Sequence, residues 1–287
     1  MGLAFTIVDV FAEEKYAGNQ LAVVRGAAGL SDEILQKITR EMNYSETTFI
    51  LSEEERDGGY DVRIFTPGGE VPFAGHPTLG TAHVIRDEIL ATPAKRVVLN
   101  LEAGKIPVTF GDVLWMRQLP PTFGPVLDPN RLARVLGLEE DDLDDRHPVR
   151  EVSTGLPAII IPLKNLDALR RCRVDWDLYR ETVAAGENLY AFCPEPHGGG
   201  PGDVSARMFS DDPGIPEDPA TGSAAGCLAG YLVEHRLFGT DAVDARVEQG
   251  YEIQRPSLLY LRAHRKGDRI NVSVGGKVQL VARGELL

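Results

Sequence analysis

Three side chains in this chain combine acid–base character with a setting that could focus it: Glu46, His76 and Asp218. Glu46 stands where a helical stretch gives way to the apolar run Thr47–Leu51. A carboxylate at the point where a strand enters a core loses water, which raises its pKa and suits it to take and return a proton. The alternative is a solvated Glu at a strand start. His76 sits in Gly75-His76-Pro77-Thr78, at the head of a small-residue helix. There a neutral imidazole can donate to a substrate oxygen or serve as a second acid, or it can be a structural histidine. Asp218 lies in the turn-rich Glu217-Asp218-Pro219 and is either a functional carboxylate or a loop residue bonding nearby amides. The hydroxyls of Thr78 and Ser223 are read as helix caps or as ligand donors.

The elements that must position these residues come in two similar copies. Phe209–Leu232 begins as turn chemistry, with Asp211, Asp212, Pro213, Gly214 and Pro216, and from Thr221 becomes a run of small residues. A tight loop feeding a helix is expected, with Asp218, Thr221 or Ser223 available to cap it. The free amides of Gly222 and Ser223 and the partial positive charge of such an end suit a carboxylate or phosphate. Arg63–Ile85 repeats the pattern. A shift of 144 residues lays Arg63 on Arg207, Phe65 on Phe209, Val71 on Ile215 and Pro72 on Pro216. Three further residues then lay Gly75 on Gly222 and His76 on Ser223. A repeat of half the chain implies duplication into two halves of like fold.

The rest of the chain follows that division. Strands are expected at Leu3–Phe11, Leu21–Val24, Thr47–Leu51 and Tyr60–Phe65, with a capped amphipathic helix over Ser31–Met42. In the second half Val149–Val152, Ala158–Pro162, a helix Trp176–Ala185 and Leu189–Cys193 echo that order. The glycine-dense His197–Gly202 lacks the lysine of a phosphate loop and reads as a flexible hairpin tip. Strands dominate, giving an α+β class. The expected domains are an N-terminal lobe, 1–120, to which the last strand, 278–287, can return, a Pro-rich linker, 121–128, and a C-terminal lobe, 129–277.

Composition narrows the partners. Thirty basic against 43 acidic residues leave a net charge of −13, which repels nucleic acid and anionic membrane surfaces. No apolar run nears the roughly 20 residues of a membrane helix. Cys172, Cys193 and Cys227 have neither disulfide nor metal spacing, which fits a reducing cytoplasmic setting. His83, His147, His197, His235 and His264 likewise lack metal spacing, and no metal or nicotinamide motif is present.

Asn43-Tyr44-Ser45-Glu46-Thr47-Thr48-Phe49, Phe73-Ala74-Gly75-His76-Pro77-Thr78 and Glu217-Asp218-Pro219-Ala220-Thr221-Gly222-Ser223-Ala224 resemble the signatures of the phenazine-biosynthesis, PhzF-like proteins. Asp9-Val10-Phe11 and Gly18-Asn19 extend the resemblance over essentially the whole chain. It implies the fold of the diaminopimelate epimerase-like superfamily: two pseudosymmetric α+β lobes, each a mixed sheet curled around a central helix, with the active site between them. The racemases of that superfamily pair two cysteines as acid and base. The matching positions here are Ala74 or Gly75 and Thr221, none of which can take a proton from carbon. The resemblance implies instead an isomerase in which Glu46 alone relays a proton between carbons of a small cyclic amino or hydroxy carboxylate. His76 and Asp218 would polarise substrate groups, and Gly75, Thr221, Gly222 and Ser223 would hold the substrate carboxylate. Tyr16, Tyr44, Phe73 and Leu156 are expected at the pocket wall. No cofactor is needed for such a relay, and the family is similar to others that form homodimers. A related epimerase or lyase, or a non-catalytic small-molecule binder, are the rival readings.

Overall fold

The computed structural model describes residues 2–184, 186–211 and 215–287, so Ala185 and the turn residues Asp212, Pro213 and Gly214 lie outside the described residues. The chain divides into two compact units, one of residues 1–117 with 275–287 and one of residues 118–274. The expected helix Trp176–Ala185 ends at Thr182.

The first unit holds β1 (Leu3–Val10), β2 (Asn19–Arg25), α1 (Asp32–Met42), β3 (Glu46–Ile50), β4 (Tyr60–Thr66), β5 (Gly69–Val71), α2 (Gly75–Val84), β6 (Arg96–Leu101), β7 (Gly104–Phe110) and β8 (Leu114–Arg117). In order, β1–β2 is antiparallel, β2–β3 parallel, β3–β4 and β4–β5 antiparallel, β4–β6 parallel, and β6–β7 antiparallel.

The second unit begins with β9 (Thr122–Val126), formed by residues read from sequence as linker, followed by α3 (Pro129–Val135), β10 (Arg150–Ser153) and β11 (Pro157–Pro162). Then come α4 (Leu166–Arg171), α5 (Trp176–Thr182), β12 (Asn188–Cys193), β13 (Val204–Phe209) and β14 (Glu217–Asp218). It ends with α6 (Gly222–Glu234), β15 (Ala242–Gln249), β16 (Ser257–Lys266) and β17 (Arg269–Gly276), whose last two residues already count with the first unit. Its pairings run in the same sequence: antiparallel β10–β11, parallel β11–β12, antiparallel β12–β13 and β13–β14, parallel β13–β15, antiparallel β15–β16. Each unit also gains an outside strand, since β18 (Val278–Leu286) runs antiparallel to β1 and β9 antiparallel to β10.

Within each unit one helix is buried on every side, which is why α2 and α6 read as apolar and small throughout rather than amphipathic. The sheet of the first unit is covered on both faces. Leu21 of β2 meets α2 at Gly80, where an added Cβ would come within 2.6 Å of its side chain. Val24 of the same strand packs outward with Leu35 of α1 and with Phe49 and Phe65. In the second unit Ile159 and Ile161 of β11 face the core under α3, α4 and α5. Strands buried on both faces are apolar at consecutive positions, and both β2 and β11 are.

Two expectations need correction. The repeat register slips earlier than the sequence alignment placed it. Phe65 pairs with Glu70 and Ile64 with Val71, while Phe209 pairs with Glu217 and Met208 with Asp218. The counterpart of Val71 is therefore Asp218, not Ile215, and the three extra residues of the second copy fall between β13 and β14. Alignment on the prolines missed this because a loop absorbs insertions that a ladder cannot. The His197–Gly202 segment is also no loose tip. Glu248, fully buried, accepts from the amides of His197 at 2.6 Å and Gly202 at 2.9 Å, and a Cβ at Gly200 would collide with its carboxylate. The His197 ring stacks on Tyr251 and bonds Ser205 Oγ and Glu252 Oε1, each at 3.0 Å.

Candidate active site

Glu46 is delivered by a well-defined helix exit. Asn43 ends α1 in the left-handed region at φ 53°, with its N–H donating to Thr39 O, a conformation Asn tolerates better than most side chains. Glu46 then opens β3 and is held in register against Leu21 of β2. Thr48, two residues on, shares a 2.8 Å hydroxyl hydrogen bond with Thr81 of α2. That bond and the close approach at Gly80 hold the strand and the helix together, and they bring Glu46 Oε2 to 3.5 Å from Nε2 of His76.

His76 is 4% exposed. Burial pushes its pKa down to about 3 against the opposing effect of a hydrogen bond with the Gln20 backbone, so the ring is neutral at physiological pH. Nδ1 lies 3.2 Å from the side-chain amide of Asn19 on β2. The other ring nitrogen, Nε2, is the one beside Glu46. No side chain caps α2, and Pro77 has no N–H, so the amides of Gly75 and His76 lead the helix. Thr78, expected as a cap or a ligand donor, instead donates back to Ala74 O at 2.7 Å.

Asp218 pairs with Met208 at the end of the β13–β14 hairpin and is 7% exposed. Thr221, one of three residues expected to be available for capping, is the N-cap residue of α6 but makes no side-chain cap. Its hydroxyl donates to Asp218 Oδ2 at 2.5 Å. Behind this pair lies Gln249 at the end of β15, fully buried, which bonds both residues and the Tyr190 hydroxyl. The carbonyl of Gly222 accepts from Gln118 at 2.9 Å, and that of Ser223 from Thr154 at 3.5 Å. The amides of this first turn therefore point away from those carbonyl partners, as helix geometry requires.

Of the side chains expected to act, Glu46 and His76 are in contact in the first unit, and Asp218, Thr221, Gly222 and Ser223 cluster in the second. The sequence did not single out Asn19 as a partner of His76, nor Gln249, Tyr190, Gln118 and Thr154. Their only signal is a polar residue inside an apolar strand or next to a turn. Of the expected wall residues, Tyr16 is 72% exposed.

A family model described as phenazine biosynthesis-like protein matches residues 8–284. This chain belongs to that family. It is 35% identical to the trans-2,3-dihydro-3-hydroxyanthranilate isomerase of Pseudomonas aeruginosa, with 98% of each sequence covered. The crystal structure of a Bacillus anthracis phenazine biosynthesis protein of the PhzF family superposes with a TM-score of 0.91 at 26% identity, over 100% of this chain and 99% of that one. A probable proline racemase from Agrobacterium radiobacter shares the fold alone, at TM-score 0.63 and 10% identity, over 99% and 93% of the two chains. Membership at this coverage makes the protein an isomerase of the PhzF-like type, with the diaminopimelate epimerase-like α+β fold.

All three cysteines are free and buried. Burial pushes the thiols of Cys172 and Cys193 up to about 12 and that of Cys227 up to about 11. Cys227 donates to the Leu156 carbonyl from inside α6. Among the described residues no three His, Cys, Asp or Glu side chains converge at metal-binding distance, and no helix is long and apolar enough to cross a membrane.

Proposed function

We propose that this isomerase needs no cofactor and moves one proton between carbons of a small cyclic amino or hydroxy carboxylate, with Glu46 as the single acid/base. The observation that carries the reading is the contact between the Glu46 carboxylate and a buried, neutral His76 ring. A carboxylate can take the proton from one carbon and return it to another as the double bond shifts. A neutral imidazole offers an N–H to a substrate oxygen without adding a second base. Asp218 polarises an amino or hydroxy group, and the amides of Gly75, Gly222 and Ser223 receive the carboxylate, the Thr221 amide being engaged by Gln249. The P. aeruginosa relative's trans-2,3-dihydro-3-hydroxyanthranilate serves as the model substrate, and a homodimer in the cytoplasm is the expected working form.

The test is turnover of that compound in heavy water by wild type and Glu46→Gln. Wild type should place deuterium on carbon without changing the carbon skeleton. Glu46→Gln should slow incorporation by about 10²–10⁴-fold while still binding the compound. Equal incorporation by both would remove Glu46 from the role, and loss of mass from the product would mark a lyase.

A further inference from the structure

The buried network behind Asp218 has direction. Tyr190 O–H donates to Gln249 Oε1 at 3.0 Å. The same oxygen accepts from the Thr221 amide at 3.3 Å. Gln249 Nε2 donates to the Asp218 carbonyl at 2.8 Å and to Thr221 Oγ1 at 3.1 Å. With its oxygen receiving from Gln249, the Thr221 hydroxyl has its one proton left for Asp218 Oδ2. The carboxylate thus forms the acceptor end of a relay whose central member is Gln249. Burial pushes the Tyr190 phenol up, with the Asp218 charge adding to the effect, so the tyrosine is a fixed O–H donor.

The fold does not demand this arrangement. Strand register assigns each member a counterpart in the first unit: Val71 for Asp218, Leu101 for Gln249 and Thr48 for Tyr190. The helix starts match Ala74 to Thr221. An apolar pair and an alanine support the same ladder and the same helix start there. A fully buried glutamine is costly unless its bonds are made, so three matched polar replacements at one point indicate a task beyond packing.

We infer that Gln249 is a positioning residue: it turns the Thr221 hydroxyl away from its helix and onto Asp218, and so fixes the direction in which the Asp218 carboxylate faces. This rests on the proposed role of Asp218. Two measurements on Gln249→Leu, which installs the first unit's residue, separate the inference from that role. In a crystal structure of the variant the Thr221 Oγ1–Asp218 Oδ2 contact should open beyond about 3.5 Å. An unchanged contact overturns the inference whatever the activity. In kinetics with trans-2,3-dihydro-3-hydroxyanthranilate, kcat should fall about 10- to 100-fold with KM within about 3-fold, and in an Asp218→Asn background the same change should cost less than about 2-fold. Losses that multiply independently would make Gln249 merely structural. Should Gln249→Leu not fold, Tyr190→Phe removes one hydroxyl and should show the same non-additivity at about 2- to 5-fold. A wild type inert toward the compound would refute the proposed substrate chemistry and leave the crystallographic comparison to decide on Gln249.

Discussion

The two halves of this protein contain the same three-residue clamp, set in different surroundings. In the first unit Arg63 lies 5.0 Å over the Phe65 ring and makes a two-pronged bond to Glu70 at 2.7 and 2.6 Å. In the second, Arg207 lies 4.8 Å over Phe209 and grips Glu217 at 2.8 and 2.7 Å. The remaining guanidinium nitrogen marks the difference. Arg63 reaches Asp32 in the exposed first turn of α1, whereas Arg207 donates to the carbonyls of Leu169 and Cys172 at the closed end of α4. The Arg63 side chain is 26% exposed and that of Arg207 5%. Duplication copied the chemistry, and burial decided its energetic weight. The candidate-site positions diverged in the same way. Register matches Glu46 to Asn188 and Val71 to Asp218, so the unit with the carboxylate at the strand start lacks the one at the hairpin, and conversely.

The sharpest way to break the comparison is to remove each clamp. Arg207→Met strands Glu217, whose side chain is only 12% exposed, and two helix-end carbonyls, and should cost about 3–5 kcal/mol in urea unfolding. Arg63→Met should cost less than about 1 kcal/mol, as partly solvated pairs do. Equal losses would mean that burial does not set the value of the pair.

The helix starts come next. Gly222→Val puts a side chain beside the amides proposed to receive the substrate carboxylate. It should weaken binding of trans-2,3-dihydro-3-hydroxyanthranilate by about 1–3 kcal/mol, the worth of a charge-assisted hydrogen bond. Unchanged affinity by calorimetry would place the carboxylate elsewhere.

A pH-dependent effect concerns His76, whose position Ser223 holds in the second unit. The native ring stays neutral down to about pH 3, while the unfolded ring takes its proton near 6.5. Below pH 6.5 the unfolded state binds more protons, so this group's contribution is complete above 6.5 and is lost as pH falls toward 3. The slope is at most about 1.4 kcal/mol per pH unit. His76→Gln should flatten the urea midpoint against pH over that window, and an unaltered slope would show the ring already charged in the native state.

Much of this was legible in the chain itself. The small-residue runs after Ala74 and Thr221 and the recurrence of Arg-x-Phe announced the duplicated loop–helix unit, because turns and close helix packing restrict residue type locally. What stayed hidden depended on strand register. Nothing near Gln249 in sequence points to Asp218, 31 residues earlier, and the insertion in the second copy could not be placed without the β13–β14 ladder. The glycine-dense 197–202 segment was misread for the same reason: the carboxylate that pins it belongs to a strand far along the chain.

The sequence by itself thus determined the repeated topology and the helix starts, both of which follow from short-range backbone preferences. Only the tertiary structure decided that Glu46 meets His76, that the ring is neutral, and that Thr221 turns to Asp218 instead of capping its helix. Those depend on which strands lie side by side and how much water they exclude, and burial is a property of the assembled neighbours, never of one residue.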